Sequence, residues 1–372
     1  MIKVLVLDTV MDRGGAETMI MNYMRNIDRD EIHFDFLTNR DYRAAYEDEI
    51  ESLGGKVYHM SPQLPGHFRQ YKREMREFIK EHPEYKIMHS NLEERSYLPL
   101  KVARKMGVPV RISHAHNRPL GFNLKTIVRY YFRARLKKQV THMFACGNEA
   151  GDWLYGEKNR DKVIIMNNAI DAKEYNFNPE KSSEMKKKLG VEDKTVIGHV
   201  GRFFAQKNHP FLIDIFKAIH DKNPNTVLLL VGGGELDDAL KNQMIQKVKD
   251  LGLEDSVQFL GVRNDVVDIL QAFDLFLLPS LFEGLPVTMI EAQAAGLPCV
   301  ISDKVPIQCD ITGNVKVIPL ESDADEWAEE TLDYVKRFSR ENTFEKVKTA
   351  GFDIKENAKW LEDFYKNTLA VQ

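Results

Sequence analysis

GHVGRFFAQKNHPFLIDIFKAIH, residues 198–220, runs from a short apolar segment through a glycine and two cations into apolar residues at helical spacing. A strand that ends in a glycine-bearing turn and feeds a helix is the opening step of a parallel α/β sheet. The same order occurs earlier, in VLDTVMDRGGAETMIMNYMRNI, residues 6–27. Each copy heads a series of Val-, Ile- and Leu-rich runs. HFDFLT, KVYHM, IMHS, VRISHAH, HMFAC and VIIMNN follow the earlier one; TVLLLVGG, VQFLG, LFLLP, PCVIS and VKVIPL follow the later one. Such runs, separated by charged helix-periodic stretches, mark strands covered on both faces. The expected fold class is α/β, with two Rossmann-like, doubly wound parallel-sheet domains.

A chain of 372 residues is too long for one ordinary core. Strand signals stop in DAKEYNFNPEKSSEMKKKLG, residues 171–190, so the expected division is 1–175 and 176–352. In the tail, Trp360, Leu361, Phe364 and Leu369 share one apolar helical face, which predicts a helix over about 353–372 that returns to the amino-terminal domain. Two domains of this kind facing across a deep cleft would place an active site there.

The composition is that of a soluble globular enzyme, 43% hydrophobic and 29% charged. MIKVLVLD reads as a first buried strand rather than a signal peptide, and no apolar run reaches membrane-spanning length. Cys146, Cys299 and Cys309 form no CxxC pair, which points to a reducing cytoplasm without structural zinc. The net charge of −4 hides a basic block: residues 101–150 hold eleven Lys and Arg against one acidic residue, Glu149. Such a block attracts phosphate, on a membrane surface or a lipid diphosphate. Nucleic acid is not expected, because no recognition module accompanies the charge.

FEGLPVTMIEAQAAGLPCV, residues 282–300, keeps two carboxylates, Glu283 and Glu291, among small and apolar residues. Pro286 suits the first turn of a helix and Gly296 with Pro298 its end. That helix would aim free N–H groups from Leu285 through Val287 to Thr288 out of the carboxyl end of LFLLP, an anion site. Glu283 before it can accept from sugar hydroxyls, and Glu291 inside it can hold a vicinal diol such as a ribose. The plainer alternative is that Glu283 caps the helix and Glu291 pairs with a basic neighbour.

Arg202 and Lys207 follow a buried strand and precede another helix start at Pro210. Two cations there can neutralise a leaving diphosphate without a metal; alone, they would be solvated loop residues. In RGGAET, Gly14 and Gly15 let backbone approach a ligand closely. His114 and His116 share one strand face, with Asn117 at its end; no third residue nominates a zinc site. His114 reads as a buried core histidine and His116 as a polar group near the reaction centre.

In LKTIVRYYFRARLKKQV, residues 124–140, Leu124, Ile127, Val128, Tyr131 and Leu136 read as an apolar stripe. Lys125, Arg129, Arg133 and Lys137 recur every four residues on another face. An external anion would compensate that row of like charges; a solvated face is the equal alternative. Asp323 and Asp325 form Asp-x-Asp, but they precede a helix and fit capping better than a metal. Asp28 and Asp30 read as a turn.

Together RGGAET, VRISHAHN, VIIMNNAID, VGRFFAQKN, LLLVGGGE, VQFLGVRNDV and the E-x7-E spacing of Glu283 and Glu291 resemble family 4 of the glycosyltransferases, retaining enzymes of the GT-B fold. MDRGGAETMIMNYMRNID and SHAHN are similar to its bacterial exopolysaccharide and capsule branch. The resemblance implies that Arg202 and Lys207 hold the donor diphosphate, Glu291 the ribose and Glu283 the transferred sugar. Backbone N–H groups after Gly284, at Leu285 and Val287 on either side of Pro286, would assist. It further implies that Gly15 approaches the diphosphate from the other domain, that His116 lies near the sugar 6-position and the acceptor, and that backbone at Val262 and Arg263 reads the base. In such enzymes the leaving phosphate helps deprotonate the acceptor on the same face, with neither protein nucleophile nor cofactor. NNAID departs from the family's Pro-Asn-Gly at this join, with Asn167 and Ala169 in place of Pro and Gly.

The expected activity is retaining, metal-independent transfer of a sugar from a nucleotide diphosphate donor, UDP-linked, to a saccharide acceptor carried on a polyprenyl-diphosphate type of lipid. The chain would work in the cytoplasm, peripheral on the membrane. A nucleotide-sugar epimerase or hydrolase on the same scaffold is the nearest rival, and product analysis with and without acceptor separates them. A non-catalytic sugar-nucleotide sensor would bind donor without turnover. A dinucleotide oxidoreductase is disfavoured because RGGAE lacks GxGxxG spacing.

Overall fold

The computed structural model of the chain describes residues 1–116, 125–234 and 238–371, with backbone alone at 125 and 126. Every strand run named above forms a strand. In the first half these are β1 (Ile2–Leu7), β2 (Ile32–Thr38), β3 (Val57–His59), β4 (Ile87–Ser90), β5 (Val110–Ala115), β6 (His142–Ala145) and β7 (Val163–Ile165). In the second they are β8 (Thr195–Val200), β9 (Thr226–Val231), β10 (Val257–Gly261), β11 (Leu275–Leu278), β12 (Cys299–Ser302) and β13 (Val315–Ile318).

Among the described residues they make two parallel sheets, ordered β3-β2-β1-β4-β5-β6-β7 and β10-β9-β8-β11-β12-β13. Both are doubly wound, as expected. The apolar runs are continuous because both faces are covered. Val4 and Val6 of β1 enter one core with helix Gly15–Asn26, while Leu5 and Leu7 enter another with helix Phe68–Glu81. β8 divides likewise, Val196 and Val200 to one side and Ile197 to the other.

The chain separates into two compact units, Met1–Ala169 with Ile354–Gln372, and Ile170–Asp353. Residues 170–175 thus fall in the second unit, not the first: Ile170 and Ala172 are buried with Ile290, Ala294, Val347 and Phe352. At the end of the first unit, Asn167 and Ala169 are tied down by their carbonyls, which accept from Tyr23 Oη at 2.9 Å and Asn22 Nδ2 at 3.2 Å.

Helix Ile354–Ala370 belongs to the first unit, so the tail returns as expected, with Leu361 buried and Phe364 and Leu369 packed against the same core. Ile354, Ala358, Leu361 and Tyr365 are its buried stripe, whereas Trp360 is exposed on one side and reaches Phe144 only at the edge of the core. The three-to-four spacing of 354, 358, 361 and 365 is the one that fills the sheet.

Candidate functional site

An open parallel sheet offers a crevice where its strand order reverses, because the connections on either side leave in opposite directions. In the second unit the reversal lies between β8 and β11. The loops that follow these strands are joined there: Leu281 N donates to Gln206 O at 2.8 Å, and Asn208 Nδ2 to Pro279 O at 3.1 Å.

These loops bring Lys207 and Glu283 together. Lys207 Nζ lies 2.7 Å from Glu283 Oε1, which also accepts from Ser280 Oγ at 2.7 Å, and Gln206 Nε2 donates to Oε2 at 2.8 Å. The Glu283 side chain is only 5% exposed. Glu283 is therefore anchored by protein donors and not a free loop carboxylate. Oε2, with one donor, keeps acceptor capacity for a hydroxyl.

The helix that follows is Val287–Ala294, with Pro286 as its N-cap rather than within its first turn. Met289 N already bonds Pro286 O at 3.0 Å, so the free donors at this end run no further than Thr288. Thr288 Oγ1 is buried there without a hydrogen-bond partner among the described residues. Inside the helix Glu291 Oε1 accepts from Tyr175 Oη at 2.9 Å. Burial pushes the Glu291 carboxyl above its ordinary range, and the Tyr175 hydrogen bond opposes that rise.

Around this pair the backbone is pared to glycine. A Cβ on Gly232 would stand 2.0 Å from Gly201 O, so the ends of β8 and β9 approach only because Gly232 has no side chain. Gly232 N in turn bonds Gly261 O at 2.9 Å, which brings up the end of β10 and, beyond it, exposed Val262. Arg263 is held in two hydrogen bonds to Asp265, at 2.7 and 2.6 Å. Arg202 is exposed, its guanidinium 4.5 Å over the Phe204 ring. Gly284 is exposed and Leu285 half-buried.

Sequence reasoning passed over four residues here: Gln206, Ser280, Tyr175 and His199. His199 Nδ1 donates to Leu277 O at 2.9 Å, and its Nε2 is buried without a hydrogen-bond partner among the described residues, beneath Gly201 and beside the Lys207 stem. Burial holds that imidazole well below its ordinary pKa, hence neutral. Only GHVG, a histidine inside an apolar strand, signals it; the other three are visible only in the fold.

In the first unit the reversal lies between β1 and β4. Gly14 caps helix Gly15–Asn26, with Glu17 folded against it, while a Cβ on Gly15 would meet no atom within 4 Å. His114 is buried in β5, its Nδ1 3.2 Å from His89 Nε2, whose Nδ1 in turn meets Tyr365 Oη at 2.7 Å. The His116 ring packs against His114 at a 35° tilt, with centroids 4.1 Å apart. Its N–H donates to Glu93 Oε1 at 2.8 Å and its Nε2 meets Asn91 Oδ1 at 3.1 Å. Burial lowers its pKa to about 4. Asn117 and the Lys125 side chain lie outside the described residues.

The basic helix, Lys125–Leu136, reverses the expected faces. Ile127, Tyr130 and Tyr131 are exposed by 66%, 53% and 47%, while Phe132 and Leu136 are buried. Arg129 donates to nearly buried Glu94 at 2.7 Å, Arg129 and Arg133 lie over the Trp153 ring, and Lys137 Nζ donates to Tyr155 O at 3.1 Å. The reason is phase. At about 100° per residue, 129 and 133 lie beside 132 and 136, and 127 and 131 lie across from them.

Asp323 caps helix Ala324–Arg337 by accepting from Glu326 N at 2.9 Å, and Asp325 pairs with Lys222 at 3.3 Å, so that pair serves the helix end as expected.

Residues 13–174 match the family described as Glycosyltransferase Family 4, and residues 181–348 the family described as Glycosyl transferases group 1. EpsF of Bacillus subtilis strain 168, a protein named as a glycosyltransferase, is 35% identical over 364 residues, covering 95% of this chain and 94% of its own. An Escherichia coli protein named UDP-Gal:alpha-D-GlcNAc-diphosphoundecaprenol alpha-1,3-galactosyltransferase is 32% identical over 231 residues, 59% of this chain and 58% of its own. Among solved structures, Anabaena Alr3699/HepE in complex with UDP superposes with a TM-score of 0.82 at 19% identity, covering 98% of this chain and 100% of that one.

Proposed function

The chain belongs to the glycosyltransferases of family 4 and group 1, with the two parallel-sheet domains of the GT-B fold, and from that membership we propose a retaining, metal-independent transfer of sugar from a UDP-linked donor. The acceptor is a saccharide on a lipid diphosphate carrier, in exopolysaccharide or capsule synthesis. One observation carries the reading. Lys207, after β8, and Glu283, on the loop that leads into the helix bearing Glu291, are locked together at the switch point.

The chemistry follows from charge. Departure of UDP leaves negative charge on the diphosphate, which Lys207, exposed Arg202 and the N–H groups of Val287 and Thr288 offset without a metal ion. Glu291, with one oxygen toward Tyr175, offers the other to the ribose diol. Glu283 Oε2 and Gln206 serve the sugar hydroxyls, and backbone at Val262 and Arg263 serves the base. Gly14, Gly15 and His116 of the first unit serve the diphosphate and the transferred sugar, and the leaving phosphate takes the acceptor proton.

Two similarities support the donor and acceptor classes. The Anabaena protein forms a complex with UDP, and the Escherichia coli name specifies UDP-Gal and a diphosphoundecaprenol-linked saccharide. For the membrane, no described helix is long and apolar enough to span one. The exposed Ile127, Tyr130 and Tyr131, with Arg135 over the Tyr131 ring at 4.5 Å, form an amphipathic face suited to an anionic bilayer surface.

The deciding experiment is a thermal-shift screen over nucleotides and nucleotide sugars, followed by product analysis with and without a lipid-linked acceptor. Stabilisation by UDP and UDP-sugars with acceptor-dependent UDP release supports the reading. Donor consumption without acceptor would favour an epimerase or hydrolase, and binding without turnover a sensor.

A further inference from the structure

Asp8, Asn91 and His116 follow β1, β4 and β5, three neighbouring strands that straddle the strand-order reversal of the first unit. Asn91 is fixed by its own backbone, whose N–H bonds Leu7 O at 2.8 Å, and its side chain lies between the other two. Asp8 Oδ1 accepts from Thr9 N at 2.7 Å, and Oδ2 accepts from Asn91 Nδ2 at 3.2 Å. At the far end of the same amide, Asn91 Oδ1 stands 3.1 Å from His116 Nε2. Asp8 and Asn91 are both buried.

Donor and acceptor rules set the direction of this chain. An ionised carboxylate only accepts, so it takes the amide's NH2 and leaves the amide oxygen toward the imidazole. That oxygen also only accepts, so His116 carries its proton on Nε2. The His116 N–H bond to Glu93 Oε1 fixes the backbone from which the ring hangs, and the ring packs against His114. Nδ1 is then the basic nitrogen, and it is buried with no hydrogen-bond partner among the described residues. A buried acceptor without a partner is costly to the fold, the pattern of a group held ready for a ligand.

We propose that Asp8 and Asn91 are positioning residues for His116: the carboxylate turns the amide, the amide holds the ring with Nε2 protonated, and Nδ1 is left to accept a hydrogen bond from a hydroxyl of the bound saccharide. The proposal rests on the reading that His116 lies at the sugar. It adds that the tautomer is set from within the fold, by a residue at the end of the first strand. Burial, with the charge of Glu17, pushes the Asp8 carboxyl up to about 8, so the ionised form prevails above that value.

The test is nitrogen NMR of histidine-labelled protein at about pH 9, where Asp8 is ionised, alongside steady-state kinetics. In the wild-type chain His116 should show a protonated Nε2 and a bare Nδ1. Asn91→Leu should mix the tautomers and lower kcat about tenfold or more, with donor KM within about twofold. Asn91→Asp keeps an acceptor toward Nε2 but sets a second carboxylate against Asp8, so it should retain the wild-type tautomer while kcat falls. A wild-type His116 protonated on Nδ1 overturns the proposal even if no variant folds. So does Asn91→Leu with unchanged melting temperature and wild-type kcat. If His116→Ala turns over normally, His116 is not at the sugar and the proposal fails with that reading; the tautomer spectrum distinguishes this from failure of the relay.

Discussion

Lys207 and Glu283 neutralise one another across 2.7 Å, in a pair whose carboxylate is almost fully enclosed and carries two further donors, Gln206 and Ser280. Removing either charge alone strands the other. Lys207→Ala is expected to destabilise the second unit by roughly 2–4 kcal/mol and to lower kcat at least about 100-fold. The double variant Lys207→Met with Glu283→Gln should recover most of the melting temperature while transfer stays lost. Recovery of turnover along with stability would show that the pair is structural only.

Tyr175 and Glu291 make a second, finer contact. The Tyr175 hydroxyl stabilises the ionised Glu291 carboxyl against a burial that raises its pKa. Tyr175→Phe removes that support, so the Glu291 pKa rises further and the neutral form extends to higher pH. The acid limb of the kcat/KM profile should move to higher pH, and donor KM near neutrality should rise by about threefold to tenfold. An unmoved acid limb would take Glu291 out of donor binding.

Metal removal gives a third outcome. If Lys207, Arg202 and the free N–H groups before Met289 offset the leaving diphosphate, extensive dialysis against EDTA should leave initial rates unchanged. Loss of rate that returns with added Mg²⁺ or Mn²⁺ would refute the metal-independent route.

Acid should unfold the chain early. The His209 imidazole is buried with neither nitrogen partnered among the described residues, and burial followed by the Lys207 charge lowers its pKa from 6.5 to about 4; burial lowers His89 to about 3. A histidine whose folded pKa lies below its unfolded value is neutral in the folded state while the unfolded chain takes up a proton. Stability is therefore full above about pH 6.5 and falls as pH drops toward the folded value, by about 3 kcal/mol for His209. His209→Phe, stacked on Phe203 in the same place, should flatten the fall in Tm between about pH 6.5 and 4.5.

The basic helix yields a paired prediction. Arg129→Gln should cost roughly 1–3 kcal/mol of stability, because Glu94 is left buried and unpaired, with little change in vesicle binding. Ile127→Glu with Tyr130→Glu should do the reverse, sparing stability and weakening sedimentation with anionic vesicles. Equal binding by wild type and the double variant would remove this face from membrane contact.

Much of this was legible in one dimension. Each strand run became a strand, because a continuous apolar run has only one comfortable place, inside a sheet covered on both sides. Glu283, Lys207 and Glu291 stood out because carboxylates and an ammonium are costly near apolar sequence unless something uses them. The misread helix shows where local reading stops. Ile127, Val128, Tyr131 and Leu136 look alike as letters, yet Leu136 lies opposite Ile127 around the axis, and the cations share its buried side.

What the linear order settled by itself was periodicity: the strands, the parallel winding, two sheets and the glycines where strands end. These depend on neighbours a few residues apart. What only tertiary structure decided was partnership. Gln206 reaches Glu283 across 77 positions, Tyr175 reaches Glu291 across 116, and Asn91 bridges Asp8, 83 positions away, to His116. Strand order creates those contacts. A sheet that reverses at β1 and β8 brings distant loops to one edge, where burial turns ordinary polar side chains into fixed donors and acceptors.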